Sequence, residues 1–145
     1  MKKRGFLLAE EALKLILAVI SIGILAYLLY SLYNANTSSK NLDFAKESLS
    51  SISEGINAQA AEIQIYNPSG WYIQSWTKEN LPLFCSNLGW EQCICICKKN
   101  GVDSCNSDGA CLENPNGFSL ADSVKIEDPP VTLSVNYQTK EVSKK

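Results

Sequence analysis

Residues 1–33 read MKKRGFLLAEEALKLILAVISIGILAYLLYSLY. Lys2, Lys3 and Arg4 come first, then Gly5, then an apolar run broken only near its start by Glu10, Glu11 and Lys14. Leu15 to Tyr33 carries no charge. As a helix rising ~1.5 Å per residue, that stretch is roughly 28 Å long, close to the hydrocarbon thickness of a bilayer. Tyr27, Tyr30 and Tyr33 gather at its far end, where an interfacial aromatic belt belongs. The basic residues precede the span, so the positive-inside bias expects Met1 in the cytoplasm and the rest of the chain outside. A conventional removable signal peptide would have a shorter apolar region and a small-residue cleavage site, and Asn34-Ala35-Asn36 is a poor one.

The next stretch also reads as helical. Residues 34–41 (NANTSSKN) form a polar collar, and Asn36-Thr37-Ser38 fits an N-glycosylation tripeptide. Leu42, Ala45, Leu49, Ile52, Ile56, Ala60 and Ile63 then recur at helical spacing with polar residues between them. This predicts an amphipathic helix to about Ala61, within an extracytoplasmic segment 34–66. The helix either continues the apolar span or breaks near Asn34–Ser39. Asn67-Pro68-Ser69-Gly70 ends it with turn chemistry.

Beyond the turn the signals are β. Trp71 to Trp76 is aromatic and β-branched. Cys93-Ile94-Cys95-Ile96-Cys97 alternates strictly, placing three cysteines on one sheet face and two isoleucines on the other. Val131, Leu133, Val135 and Tyr137 share one face of a later strand. Asn100-Gly101, Asp108-Gly109 and Asn116-Gly117 suit tight connections. The last eight residues, QTKEVSKK, read as a solvated tail. The expected fold class is α+β: a long N-terminal helix packed on a small disulfide-stapled antiparallel sheet. The divisions are 1–5, a transmembrane helix at 6–33, an extracytoplasmic amphipathic helix at 34–66, a cysteine-rich β domain at 67–137 and a tail at 138–145.

All six cysteines lie between Cys85 and Cys111: Cys85, Cys93, Cys95, Cys97, Cys105 and Cys111. An even, clustered count in a small exported domain reads as a disulfide framework. Cysteines two apart on one strand have parallel Cβ vectors and Cα atoms roughly 6.6 Å apart, at the edge of bridging range. Each of Cys93, Cys95 and Cys97 is therefore expected to pair with one of Cys85, Cys105 and Cys111. That condition admits about six of about fifteen connectivities. Structural metal sites use C-x₂-C knuckles, often with histidine; this chain has C-x-C-x-C and no histidine, so no metal or other cofactor is expected. Trp71, Tyr72, Trp76 and Trp90 read as core packing rather than as an adhesive surface.

The chain has 13 basic and 15 acidic residues. Taking away residues 1–5 removes three bases and leaves ten against fifteen, a net charge of −5. An acidic domain argues against nucleic acid as a partner. No histidine, phosphate loop or nucleophile motif is present, so no enzyme is expected. Asp103, Asp108 and Glu113 sit near turns, where solvated acids are ordinary.

The N-terminal thirty residues resemble the class III signal of prepilins. Gly5 stands at the cleavage position, Phe6 would be the first mature residue and Glu10 the fifth. The Glu10-Glu11 pair with Lys14 is similar to the signals of archaeal class III proteins. The resemblance implies the type IV pilin or pseudopilin plan. A membrane peptidase, the prepilin peptidase, would remove the leader on the cytoplasmic side. The Glu10 carboxylate would meet the freed amine of a neighbouring subunit, and the helices would bundle into a filament. The implied partners are membrane lipid, copies of the chain or other pilin-like subunits, and the peptidase. A second reading of the residues is an uncleaved, single-pass anchor displaying a binding module. In it Glu10 and Lys14, four apart with glutamate first, form an ion pair within the helix worth about 0.2–0.5 kcal/mol.

Overall fold

The computed structural model describes residues 3–114 and 116–145, with side chains from Glu10 onward; Met1 and Lys2 of the expected leader lie outside the described residues. The chain divides into two compact units, residues 1–39 and 40–145.

One helix, α1 (Lys3–Asn57), runs through the apolar stretch and the polar collar without a break. In the first unit every large apolar side chain from Leu13 to Tyr33 is more than half exposed. Two hydroxyls are returned to the helix itself. Ser21 Oγ donates to the Leu17 carbonyl at 2.7 Å and Thr37 Oγ1 to the Tyr33 carbonyl at 2.9 Å. By length and composition this helix can cross a membrane.

In the second unit the same helix buries a stripe of Ala45, Leu49, Ile52 and Ile56. The stripe joins a core built from two four-stranded sheets. Sheet one contains β1 (Glu62–Ile65), β5 (Ser119–Leu120), β7 (Val131–Asn136) and β8 (Glu141–Lys144), in the order β1-β7-β8-β5. Sheet two contains β2 (Tyr72–Thr77), β3 (Gln92–Cys97), β4 (Gly109–Glu113) and β6 (Val124–Lys125), in the order β4-β3-β2-β6. Among the described residues, all pairings are antiparallel except β5 with β8. The class is α+β as expected, with two sheets where one was read. Ile65, Ile73, Ile96, Ile126, Leu133 and Val142 are among its most deeply buried side chains.

Three sequence expectations change. The helix does not reach Ala61. It stops at Asn57 in a Schellman motif: Gln59 takes φ 56°, its N–H donates to the Ile56 carbonyl at 3.1 Å, and the Ala60 N–H donates to the Gly55 carbonyl at 2.9 Å. Ile63, which continued the helical spacing, belongs to β1, where it and Ile65 alternate inward. The segment 34–66 is thus helix, turn and strand. Gly55 accommodates the return, because a Cβ there would lie 2.7 Å from Ile63 Cγ1 and Cδ1.

The C-terminal residues are not a tail. Glu141–Lys144 forms β8, paired with both β7 and β5, with Val142 only 1% exposed. Asn136 Oδ1 makes the turn into it, accepting from the N–H groups of Gln138 at 2.9 Å and Thr139 at 3.2 Å. One apolar residue in eight conceals the strand from any periodicity test. Finally, Asn100-Gly101 and Asp108-Gly109 close no two-residue hairpin; they flank a short helix, α3 (Val102–Ser107).

Candidate functional site

Two groups of residues concentrate the chemistry. The first is in the N-terminal unit. Gly5 and Phe6 lie within the backbone of α1. One turn on, Lys14 Nζ lies 3.0 Å from Glu10 Oε1, with both side chains exposed. This is the i,i+4 order that favours an ion pair. Both residues lie at the start of the uncharged apolar stretch, where an unpaired carboxylate would be costly in lipid.

The second group is the cysteine face of β3. Alternation sends Ile94 and Ile96 into the aliphatic core and Cys93, Cys95 and Cys97 to the opposite side. Each meets a cysteine carried by a different element. Cys85, on the short helix α2 (Leu83–Asn87), bridges to Cys93 with Cα atoms 6.5 Å apart. Cys111, on the adjacent strand β4 and opposite Cys95 in register, bridges to it with Cα atoms 4.0 Å apart. Cys105, on α3, bridges to Cys97 with Cα atoms 5.0 Å apart. Among the described residues no free cysteine remains. The three bridges tie both short helices and the edge strand to one strand face, and each restricts the unfolded chain by about 2–4 kcal/mol.

The surroundings are built to hold that cluster. Gly109, which opens β4, leaves room for the third bridge: a Cβ there would be 2.9 Å from Cys97 Sγ and 3.1 Å from the Cys105 Cα. Gln74, 4% exposed on β2, anchors the loop before α3. Its Nε2 donates to the Lys99 carbonyl at 3.3 Å, and its Oε1 accepts from the Gly101 N–H at 3.0 Å. The Lys99 N–H in turn donates to Ser104 Oγ at 2.9 Å. Trp76, Leu81 and Trp90 close over the sulfurs, half-buried. Beside them Leu83, Phe84 and Leu88 are exposed, and Phe84 meets Trp90 edge-on at 5.9 Å between ring centroids. Of the four aromatics singled out in the sequence, Trp71 lies in the aliphatic core, while Trp76 and Trp90 cap the sulfurs.

What sequence reasoning missed is the carriers. Helices of five and six residues, α2 and α3, are too short to show a hydrophobic period, so the sequence assigned Cys85 and Cys105 to no element. Outside the two groups, Lys125 and Glu127 pair on the surface. Their hydrogen bond and mutual attraction raise the lysine pKa and lower that of the carboxylate.

No protein-family model, curated protein or solved structure matches the chain.

Proposed function

We propose that this chain is a structural subunit of a type IV pilus-like filament or a related envelope assembly. In this reading residues 1–5 are the leader, removed between Gly5 and Phe6. The segment 6–33 anchors in the membrane and then packs against the same segment of neighbouring subunits. The domain from Lys40 onward is displayed outside the cell. One observation carries the reading. A single unbroken helix presents an exposed apolar surface from Leu13 to Tyr33, and a carboxylate at Glu10 stands five residues after Gly5. Such a surface needs lipid or other helices against it. An intermolecular amine is a stronger reason for a carboxylate at that depth than a surface ion pair.

The mature N-terminus and the behaviour of a Glu10 variant test it. Intact-mass analysis of the native membrane-extracted protein should lack residues 1–5. Glu10→Ala should leave export and leader removal unchanged while incorporation into filaments or complexes falls. A mature protein beginning at Met1, or normal incorporation of Glu10→Ala, overturns the proposal. The second reading, an uncleaved monomeric anchor, is favoured by the 3.0 Å Glu10–Lys14 pair, which gives the carboxylate a partner inside its own helix. It expects Met1 to be retained and Lys14→Ala to matter as much as Glu10→Ala.

A further inference from the structure

The three bridges are not independent. Cys95 Sγ lies 3.9 Å from Cys85 Sγ and 3.8 Å from Cys93 Sγ, so the sulfurs of two bridges are in van der Waals contact. Exposure differs sharply across the group. Cys85, Cys93, Cys95 and Cys97 are 0% exposed and Cys105 3%, whereas Cys111, on the edge strand, is partly exposed. An external thiolate must reach the sulfur it attacks, so access decides which bridge opens first.

We propose that Cys85, Cys93, Cys95 and Cys111 form a thiol–disulfide exchange relay that accepts electrons from dithiols at Cys111 and delivers them to the buried Cys85–Cys93 bridge. A dithiol thiolate attacks Cys111 Sγ. The Cys95–Cys111 bond breaks, a mixed disulfide forms at Cys111, and Cys95 leaves as a thiolate. Before release Cys95 Sγ lies beside the second bridge, 3.9 Å from Cys85 Sγ and 3.8 Å from Cys93 Sγ, and the freed side chain turns to come in line with the bond it attacks. Attack on Cys93 would join residues two apart on one strand, whose parallel Cβ vectors oppose a bond. Attack therefore falls on Cys85 Sγ: a Cys85–Cys95 bond forms, the Cys85–Cys93 bond breaks, and Cys93 leaves as a thiolate that takes a proton from water. The second thiol of the dithiol then resolves the mixed disulfide, giving the Cys111 thiol and oxidised dithiol. Two electrons have passed to the protein, one internal disulfide has been lost, and the thiols stand at Cys93 and Cys111. The relay thus converts a buried bridge, closed to direct attack, into one that responds to the redox state outside.

The measurement is a timed reaction of the full-length protein in detergent with dithiothreitol at mildly alkaline pH. Acid quench, alkylation and tandem mass spectrometry that fragments between Cys93 and Cys95 then locate the thiols and bridges. The expected early species carries alkylated Cys93 and Cys111 and a Cys85–Cys95 link. Thiols at Cys93 should appear at least about tenfold faster than at Cys97 and Cys105. An early species with Cys95 alkylated and Cys85–Cys93 intact overturns the relay, as does a Cys95–Cys105 link or first opening of Cys97–Cys105. Cys111→Ser supplies a second check without reductant. Its free thiol should map to Cys93, with Cys85 joined to Cys95, and a free thiol at Cys95 overturns the proposal. If that variant does not fold, the wild-type time course decides.

Discussion

The two faces of β3 meet different interiors. Among the described residues, Ile94 and Ile96 join a core of eighteen buried side chains from α1, both sheets and their flanking residues, while Cys93, Cys95 and Cys97 join a cluster whose buried members are five cysteines. On the first face stability is spread thinly: a buried Ile contributes about 1.5–3 kcal/mol, and many of them share the work. On the second it is concentrated in three covalent bonds that one class of reagent removes. A domain of 106 residues, 40–145, has room for one substantial apolar core. The opposite face of its second sheet is covered by short helices that could not stay in place unaided.

The largest effect should come from erasing the second face altogether. Complete reduction with a phosphine should unfold the layer holding α2, α3 and β4, removing roughly 2–4 kcal/mol per bridge. Near-ultraviolet circular dichroism should lose the tryptophan signal of Trp76 and Trp90, while far-ultraviolet helix signal from α1 persists. Loss of both signals together would mean that the two faces form one cooperative unit. On the first face, Ile96→Ala should cost about 2–5 kcal/mol with all bridges intact, read as a lower denaturation midpoint at unchanged slope. A much smaller cost would show that the bridges, not the aliphatic face, hold β3.

A smaller effect is expected where the faces meet the backbone. Gly109→Ala places a Cβ 2.9 Å from Cys97 Sγ and 3.1 Å from backbone. It should cost about 1–3 kcal/mol and slow formation of the Cys97–Cys105 bridge in oxidative refolding. The smallest effect should come from Lys125 and Glu127, which touch neither interior. Glu127, with a lowered pKa, contributes above the ordinary carboxylate range and loses its contribution as pH falls through the lowered value. Lys125, with a raised pKa, contributes below the ordinary lysine range and loses it as pH rises through the raised value. Thermal midpoints of wild type and Glu127→Gln should differ slightly near neutrality and converge at the acid end.

The difference between the faces also explains what could be read from sequence. Cys93 to Cys97 announces both interiors at once, because strict alternation leaves no other assignment of faces. Val131 to Tyr137 declares itself in the same way, Trp71 to Trp76 by its aromatic and β-branched content, and the stripe from Ala45 to Ile56 by its helical spacing. The strands Ser119–Leu120 and Val124–Lys125 have two residues each and no period of their own. Pairing with β8 and β2 defines them, and local patterning cannot see a partner. At the cysteines, geometry separated the strand group Cys93, Cys95 and Cys97 from their partners. The choice among partners depended on where α2 and α3 lie, which short helices do not reveal.

The position of β8 bears on how the molecule is made. It lies between β7 and β5 although it comes after both in the chain, with Val142 inside and the Lys145 N–H donating to the Thr132 carbonyl at 3.0 Å. During synthesis, β5 and β7 emerge before the strand that separates them, and the sheet cannot close until residues 141–144 have emerged. The α1 segment, by contrast, is complete as soon as its own residues have emerged. Completion of this sheet therefore waits on the strand made last among its four, and a bulky group inserted between β7 and β8 would burden the last strand to dock.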